Sequence, residues 1–329
     1  MDPASQPDSD FEIKSVRPLS EAGEGDLSFL TNPKYKSQAL KTGASAILVS
    51  KAIEGCSALQ LVCKNPHATL ARILSALFPE PEMAPGIHPS AAVDPSAKIA
   101  PDCHIGAFCV VEAGCEIGAG SVLQARVTVM RNSKVGEDVR LFPGVVIYDD
   151  VHLGNGVRIH ANTVVGSDGF GYAQDGGVHV KVPQIAGVRI ENNVEIGSNV
   201  SIDRGANSNT IIGEGSKIDN LVQIGHGVKI GKHSIIVSQT GISGSSKVGN
   251  YSVLAGKVGV VGHVAIGDQV VVMGQSVVTK NLDKPGQYAG NPAVPHMQYQ
   301  RQLVQIRKLP KLEERVKKIE KALKNERNE

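Results

Sequence analysis

The sequence predicts a mainly β protein: a parallel β-helix of about ten coils, with a small α/β domain before it and a helical segment after it. Two observations carry this. An aliphatic residue recurs at every sixth position over most of the chain. Of 329 residues 36 are glycine, only 4% are aromatic and none is tryptophan, so the core is built from Val, Ile, Leu and Ala joined by tight turns.

From Ile87, steps of six reach Val93, Ile99, Ile105 and onward to Val165, and all fourteen positions are Ile, Val or Leu. Ile190, Ile196 and Ile202 resume the series, and after a slip of four residues it runs from Ile212 to Val278 through twelve more aliphatic positions. A helix repeats at about 3.6 residues and a strand at about 2, so neither preserves a strict six. Three hexads close one triangular coil, in which each aliphatic side chain points inward and stacks on its counterpart in the next coil at about 4.8 Å. The position two before it also points inward and takes small residues. Cys103, Cys109 and Cys115 sit there, which assigns them to the core. With Cys56 and Cys63 the cysteines number five, without a zinc-knuckle spacing, so no disulfide framework is expected.

Residues 1–85 lack the repeat. FEIKSV, SAILVS and ALQLVC read as strands and Ala68–Phe78 as a helix, a small α/β domain closed by the Pro-rich linker at 79–86. The β-helix occupies 86–285. It expels a Gly-rich loop at 166–187 and a smaller bulge at 203–211, and excursions from a solenoid commonly line a binding face. The C-terminal segment, 286–329, reads as helix from 296 to 327, broken near Pro310. Leu312, Val316, Ile319 and Leu323 are spaced as a short heptad seam, which implies association with further copies of the chain.

Charge is nearly balanced, 34 basic against 32 acidic residues, which argues against a nucleic-acid binder held by a global basic field. The stretch from Arg301 to Glu329 is locally basic, with ten basic and five acidic residues, which reads either as a solvated helix face or as a surface for an acidic partner. No apolar run is long enough to span a membrane, and Met1–Asp10 has no apolar core of a signal peptide, so a cytoplasmic location is expected.

A prism has no cleft of its own, so polar residues that a coil does not need are the candidates for chemistry. His226 lies two residues after inward Ile224 and should point outward; Gly244 stacks on it one coil later, and His263 falls close to the coil after that. A base beside an approachable backbone N–H suits acyl transfer. The competing reading is an ordinary surface histidine. Zinc held by His152, His160, His226 and His233 is another, although their spacing is no recognisable ligand set. In the N-terminal domain Phe29, Asn32 and Tyr35 fall within seven residues, enough to stack a nucleobase and read its edge, or simply one core ring and one turn ring.

Taken together, FLTNPKY, GIHPSAAVDPSAKI, GSDGFGYA with KVPQIAGV, SIDRGA, KIDNLVQIGH, GISGSSKVGN and YAGNPA resemble the UDP-3-O-acylglucosamine N-acyltransferases of lipid A synthesis, from about Phe11 to the C-terminal helix. The resemblance implies left-handed coils, a homotrimer with sites between subunits, and transfer of a 3-hydroxyacyl chain from acyl carrier protein to the 2-amino group of UDP-3-O-(3-hydroxyacyl)glucosamine. It implies His226 as general base and the Gly244 N–H as oxyanion donor. It places Phe29, Asn32 and Tyr35 on the uridine, and Asp219, Gln223 and His263 against the nucleotide sugar. Lys280 and the C-terminal helices would meet the carrier protein. No cofactor is implied beyond the phosphopantetheine thioester of the co-substrate, and no metal. Related hexapeptide acyltransferases using acetyl-CoA or acylating oxygen, and a silent binding solenoid, are the alternatives. Two departures stand out. MDPASQPDSD replaces the helix with which the family usually begins, and Val277 stands where the family often has a methionine at the end of the acyl channel, which would lengthen that channel.

Overall fold

The computed structural model describes residues 12–326, with side chains through Lys321, so MDPASQPDSD, Phe11 and the side chain of Leu323 lie outside the described residues. The chain forms two units, 1–82 and 83–329.

The first unit is a four-stranded parallel sheet whose order follows the chain: Ser15–Val16, Asp26–Phe29, Ala46–Val49, Leu59–Val62. Ala46–Val49 is buried along its whole length because both sheet faces are covered. Leu48 packs with Leu27 and Leu70 on one face, and Ile47 with Leu19, Ala39 and Ile53 on the other. Leu70 belongs to the helix Pro66–Leu77, which starts two residues before the expected Ala68. The Asn65 side chain caps it by accepting from the Ala68 N–H at 3.1 Å, and Pro66 fills the first turn, where no N–H is required.

The second unit is a three-sided parallel β-solenoid. Its faces hold 12, 10 and 9 strands, and they are called here the first, second and third face in the order the chain visits them. Most strands are only two residues long, one outward and one inward, as in Glu116–Ile117 or Lys217–Ile218. Successive coils pair in register, Glu116 on Lys134, Val122 on Arg140 and Thr128 on Val146. The inward side chains of Ile105, Leu123, Leu141, Ile159 and Ile196 are fully buried. Burial of each such residue stabilises by about 1.5–3 kcal/mol before entropy is counted.

Inside the wall runs a second stack. Ser216 Oγ donates to the Gly231 carbonyl at 2.7 Å and accepts from the Ser234 N–H at 3.0 Å; Ser234 and Ser252 repeat the pattern upward. In the early coils thiols take that place: Cys109 Sγ donates to the Gln124 carbonyl at 2.9 Å and Cys115 Sγ to that of Met130 at 3.0 Å. These thiols are buried because they satisfy carbonyls that a purely apolar stack would leave unpaired.

Neither interruption breaks the solenoid. Val164–Ser167 pairs directly with Ser201–Asp203, one coil on plus 19 inserted residues, and Ile202 pairs with Ile224 across four extra ones. The long excursion contains an antiparallel hairpin, Tyr172–Asp175 with Val178–Lys181. The far end is closed by Gly286–Ala289, which adds to the first face, and Val294–Pro295, which folds back on it.

The C-terminal helix, His296–Glu326, corrects one expectation: it runs through Pro310 instead of breaking there. Proline removes one N–H donor, and on an exposed helix the freed carbonyl is met by water. Leu312, Val316 and Ile319 remain about half exposed on it. Among the described residues no helix is long and apolar enough to cross a membrane.

Candidate active site

His226 follows the second-face strand Gln223–Ile224. Ile224 is fully buried and anchors the turn, and Gly225 allows the next coil to approach, since a Cβ there would lie 2.8 Å from the Gly244 nitrogen. The Gly227 N–H is held by Thr210 Oγ1 at 2.9 Å and the His226 carbonyl by the Ser245 N–H at 2.8 Å. With the backbone tied on both sides, the imidazole projects into a groove of about 940 Å³.

Two glycines flank that ring. A Cβ on Gly244 would collide with His226 Nε2, and one on Gly169, from the long excursion, would come within 2.6 Å of the His226 Cβ. The Gly244 carbonyl accepts from the His263 N–H at 3.2 Å, while its own N–H has no acceptor among the described residues, and the residue lines the groove. A free donor beside an imidazole can serve an oxyanion.

The floor is equally specific. Ser201, Gln223, Gly241, Gly259 and Val277 stack on successive coils of the second face. A Cβ on Gly241 would meet nothing within 4 Å, and one on Gly259 would only touch the Val277 methyls at 3.9 Å. Two side chains are thus missing from the outward row, leaving a trough that ends at Val277. The excursion forms the opposite wall, where Lys181 pairs with Asp168 and the Phe170 ring packs edge-on against Tyr172 at 5.1 Å.

Comparison with known proteins decides the family. A family profile described as UDP-3-O-(3-hydroxymyristoyl) glucosamine N-acyltransferase matches residues 10–76, and one for bacterial transferase hexapeptides matches 209–244. A UDP-3-O-acylglucosamine N-acyltransferase of Pseudomonas fluorescens is 44% identical over 316 residues, covering 95% of this chain and 90% of that protein. The enzyme of Janthinobacterium is 39% identical over 328 residues, covering 97% and 93%. The chain belongs to the UDP-3-O-acylglucosamine N-acyltransferase family. Its solenoid also resembles that of the Arabidopsis UDP-N-acetylglucosamine acyltransferase, with a TM-score of 0.58 and 29% identity over 64% of this chain and 73% of that one.

In this member of the N-acyltransferase family the groove gathers four of the residues singled out from sequence: His226, Gly244, Gln223 and Val277. It does not gather the others. Asp219 lies by the first face, beside His160, Glu195 and Lys217, and its carboxylate accepts from the Asn220 N–H at 2.7 Å and the Ser238 N–H at 3.1 Å. His263 turns a corner with φ of 61°, and its exposed side chain is not among the groove lining. Lys280 is exposed just past the last hexad. His152, His160, His226 and His233 do not assemble into a metal-binding group among the described residues.

In the first unit Phe29 ends its strand half-buried against the core, whereas Asn32 and Tyr35 are exposed on the turn that follows. The Asn32 Oδ1 accepts from the Lys34 N–H at 3.0 Å, which leaves the amide N–H₂ as the group it presents to solvent.

The residue that sequence reasoning missed is Asp203, one coil below Gly225 in the same groove. Burial pushes its carboxyl above its ordinary value, while a hydrogen bond from Gln223, the nearby His226 and Ser167 pull it down and Asp168 pushes it further up. SIDRGA marked the segment, and the four-residue slip hid the stacking.

Proposed function

We propose that this chain is a cytoplasmic, homotrimeric N-acyltransferase of lipid A synthesis. It moves a 3-hydroxyacyl chain from acyl carrier protein to the 2-amino group of UDP-3-O-(3-hydroxyacyl)glucosamine. The observation that supports it best is the pairing of the His226 imidazole with the unpaired Gly244 N–H at the head of a glycine-floored trough. Family membership supplies the substrate class.

The reaction needs little more. The amine attacks the thioester carbonyl, and the new N–C bond places negative charge on the carbonyl oxygen, where the Gly244 N–H donates to it. His226 takes the proton the amine sheds and returns it to the departing thiol as the C–S bond breaks. The thioester is already activated, so a positioned base worth about 10²–10⁴ in rate together with a fixed donor suffices. The transferred chain lies along Gly241 and Gly259 toward Val277.

The remaining residues hold substrates. Phe29 and Tyr35 stack the uracil and the Asn32 amide reads its edge. His263 and Gln223 contact the nucleotide sugar. Asp219, by the first face, completes the site of a neighbouring copy. The half-exposed stripe Leu312, Val316 and Ile319 meets its counterparts in the trimer, and Lys280 with the basic C-terminal helix receives the acidic carrier protein.

The test is a mass-spectrometric assay offering UDP-3-O-acylglucosamine with 3-hydroxyacyl carrier proteins of several lengths, or with acetyl-CoA. An amide product from the carrier-protein donor, lost in His226→Ala while the trimer persists, supports the reading. An intact trimer that makes product only from acetyl-CoA, or none at all, overturns it.

A further inference from the structure

The groove contains a half-buried carboxylate for which the reaction so far has no use. Asp203 ends the strand Ser201–Asp203, and its Oδ1 stands 3.5 Å from Ser167 Oγ on the coil below. Gln223, on the coil above, lines the same groove beside it. Its backbone is tied to the histidine as well: the buried Thr210 hydroxyl donates to the Asp203 carbonyl at 2.7 Å and accepts from the Gly227 N–H at 2.9 Å, next to His226. One threonine therefore fixes the spacing between the carboxylate-bearing strand and the turn that carries the base.

We propose that Asp203 is a positioning residue for the acyl transfer, its carboxylate held by Ser167 opposite Gly225 so that it balances the positive charge His226 acquires when it takes the amine proton. This rests on the acyl-transfer reading above. Asp203 does not touch substrate and accepts no proton. It lowers the energy of the imidazolium in a low-dielectric groove, where an unbalanced charge is expensive.

The other charged groups around it fit this role. Asp168, on the excursion, is paired with Lys181 and so adds little net charge to the groove. Arg204, the next residue in the chain, is turned away: its Nε donates to the Ala186 carbonyl at 2.7 Å and its Nη2 to that of Asp149 at 3.2 Å, with Asp150 nearby. Among these groups Asp203 alone lies on the strand paired directly with the His226 strand, lines the groove and has no cation paired with it.

A structural aspartate and a charge-balancing one predict different behaviour for Asp203→Asn, which keeps the shape and, through its one carbonyl oxygen, can still accept from Ser167. Because burial opposes ionisation of Asp203 in the fold, its charge costs stability at neutral pH, and the Asn variant is expected to melt no lower than wild type. Its kcat is expected to fall about 10- to 100-fold with KM for the nucleotide sugar within about twofold. The acid limb of its kcat/KM–pH profile is expected to move to lower pH, as a base without its counter-charge binds a proton less readily. Asp203→Glu, which keeps the charge, should retain the wild-type limb. A kcat within twofold of wild type, or a loss of kcat with an unmoved acid limb, overturns the proposal. A wild-type chain inactive with every acyl donor overturns the acyl-transfer reading itself, and this inference with it.

Discussion

The His226 imidazole and Gly244 are so close that a methyl group on the glycine would collide with the ring nitrogen Nε2. Gly244 therefore does two things at once. It leaves room for the ring, and it offers an N–H with no acceptor among the described residues. Gly244→Ala is expected to push the imidazole aside and lower kcat about 100-fold while the melting temperature stays within a few degrees. Steady-state kinetics beside a thermal melt checks it, and a fully active variant would show that the ring need not lie where it does.

The trough gives a chain-length prediction. Gly259→Val would place two methyls on the floor between Gly241 and Val277, and Val277→Met would extend the stop at its end. Both are expected to shift preference toward shorter acyl chains, by roughly the 1–3 kcal/mol that a hydrophobic pocket assigns to a methylene, or about 10- to 200-fold in relative kcat/KM. Competition between carrier-protein donors of graded length, read by product mass, measures this. Unchanged selectivity in both variants would place the acyl chain elsewhere.

The three buried thiols should resist alkylation. Burial pushes Cys103, Cys109 and Cys115 above the usual thiol range, and each is at most 2% exposed, whereas Cys56 and Cys63 are partly exposed. In native protein at pH 8 iodoacetamide is expected to label Cys56 and Cys63 first, and the solenoid thiols only after unfolding. Peptide mass mapping over a time course distinguishes the two sets.

Asp26 makes the N-terminal unit sensitive to acid. The Gly23 N–H, at 2.8 Å, and the Ser15 hydroxyl hold its carboxyl below its ordinary value, with Arg17 nearby. A depressed carboxylate stabilises the fold above its unfolded pKa, and that contribution disappears as pH falls through the folded value. Asp26→Asn should therefore speed amide exchange in 26–62 at pH 7, and its difference from wild type should shrink as pH drops below about 4. Hydrogen-exchange mass spectrometry on the intact chain provides the comparison.

What the sequence disclosed follows from where its period holds. His226 and Gly244 are one uninterrupted coil apart, so counting by eighteen brings them together, and the structure places them in contact. Asp203 lies beyond the four-residue slip, and Gly169 and Lys181 lie in the 19-residue excursion, so no fixed step reaches them from His226. Pro310 does not break its helix because it stands on an exposed stretch, a property of its surroundings that the local sequence does not carry. Asp219 rests on resemblance alone and His263 on a coil count that is one residue out of step, and a single chain does not bring either into the groove.

The direct pairing of Val165 with Ile202 across the excursion has a consequence for how the molecule can change. In a stack where each coil leans only on its neighbours, a loop ejected at one corner is invisible to the rest of the array. Closing a loop of this length costs about 2.6 kcal/mol of chain entropy, concentrated at a single joint two coils below His226. Shortening the loop to a plain turn should therefore make the spine sturdier and the protein useless. Selection for endurance and selection for turnover act on the same corner in opposite directions.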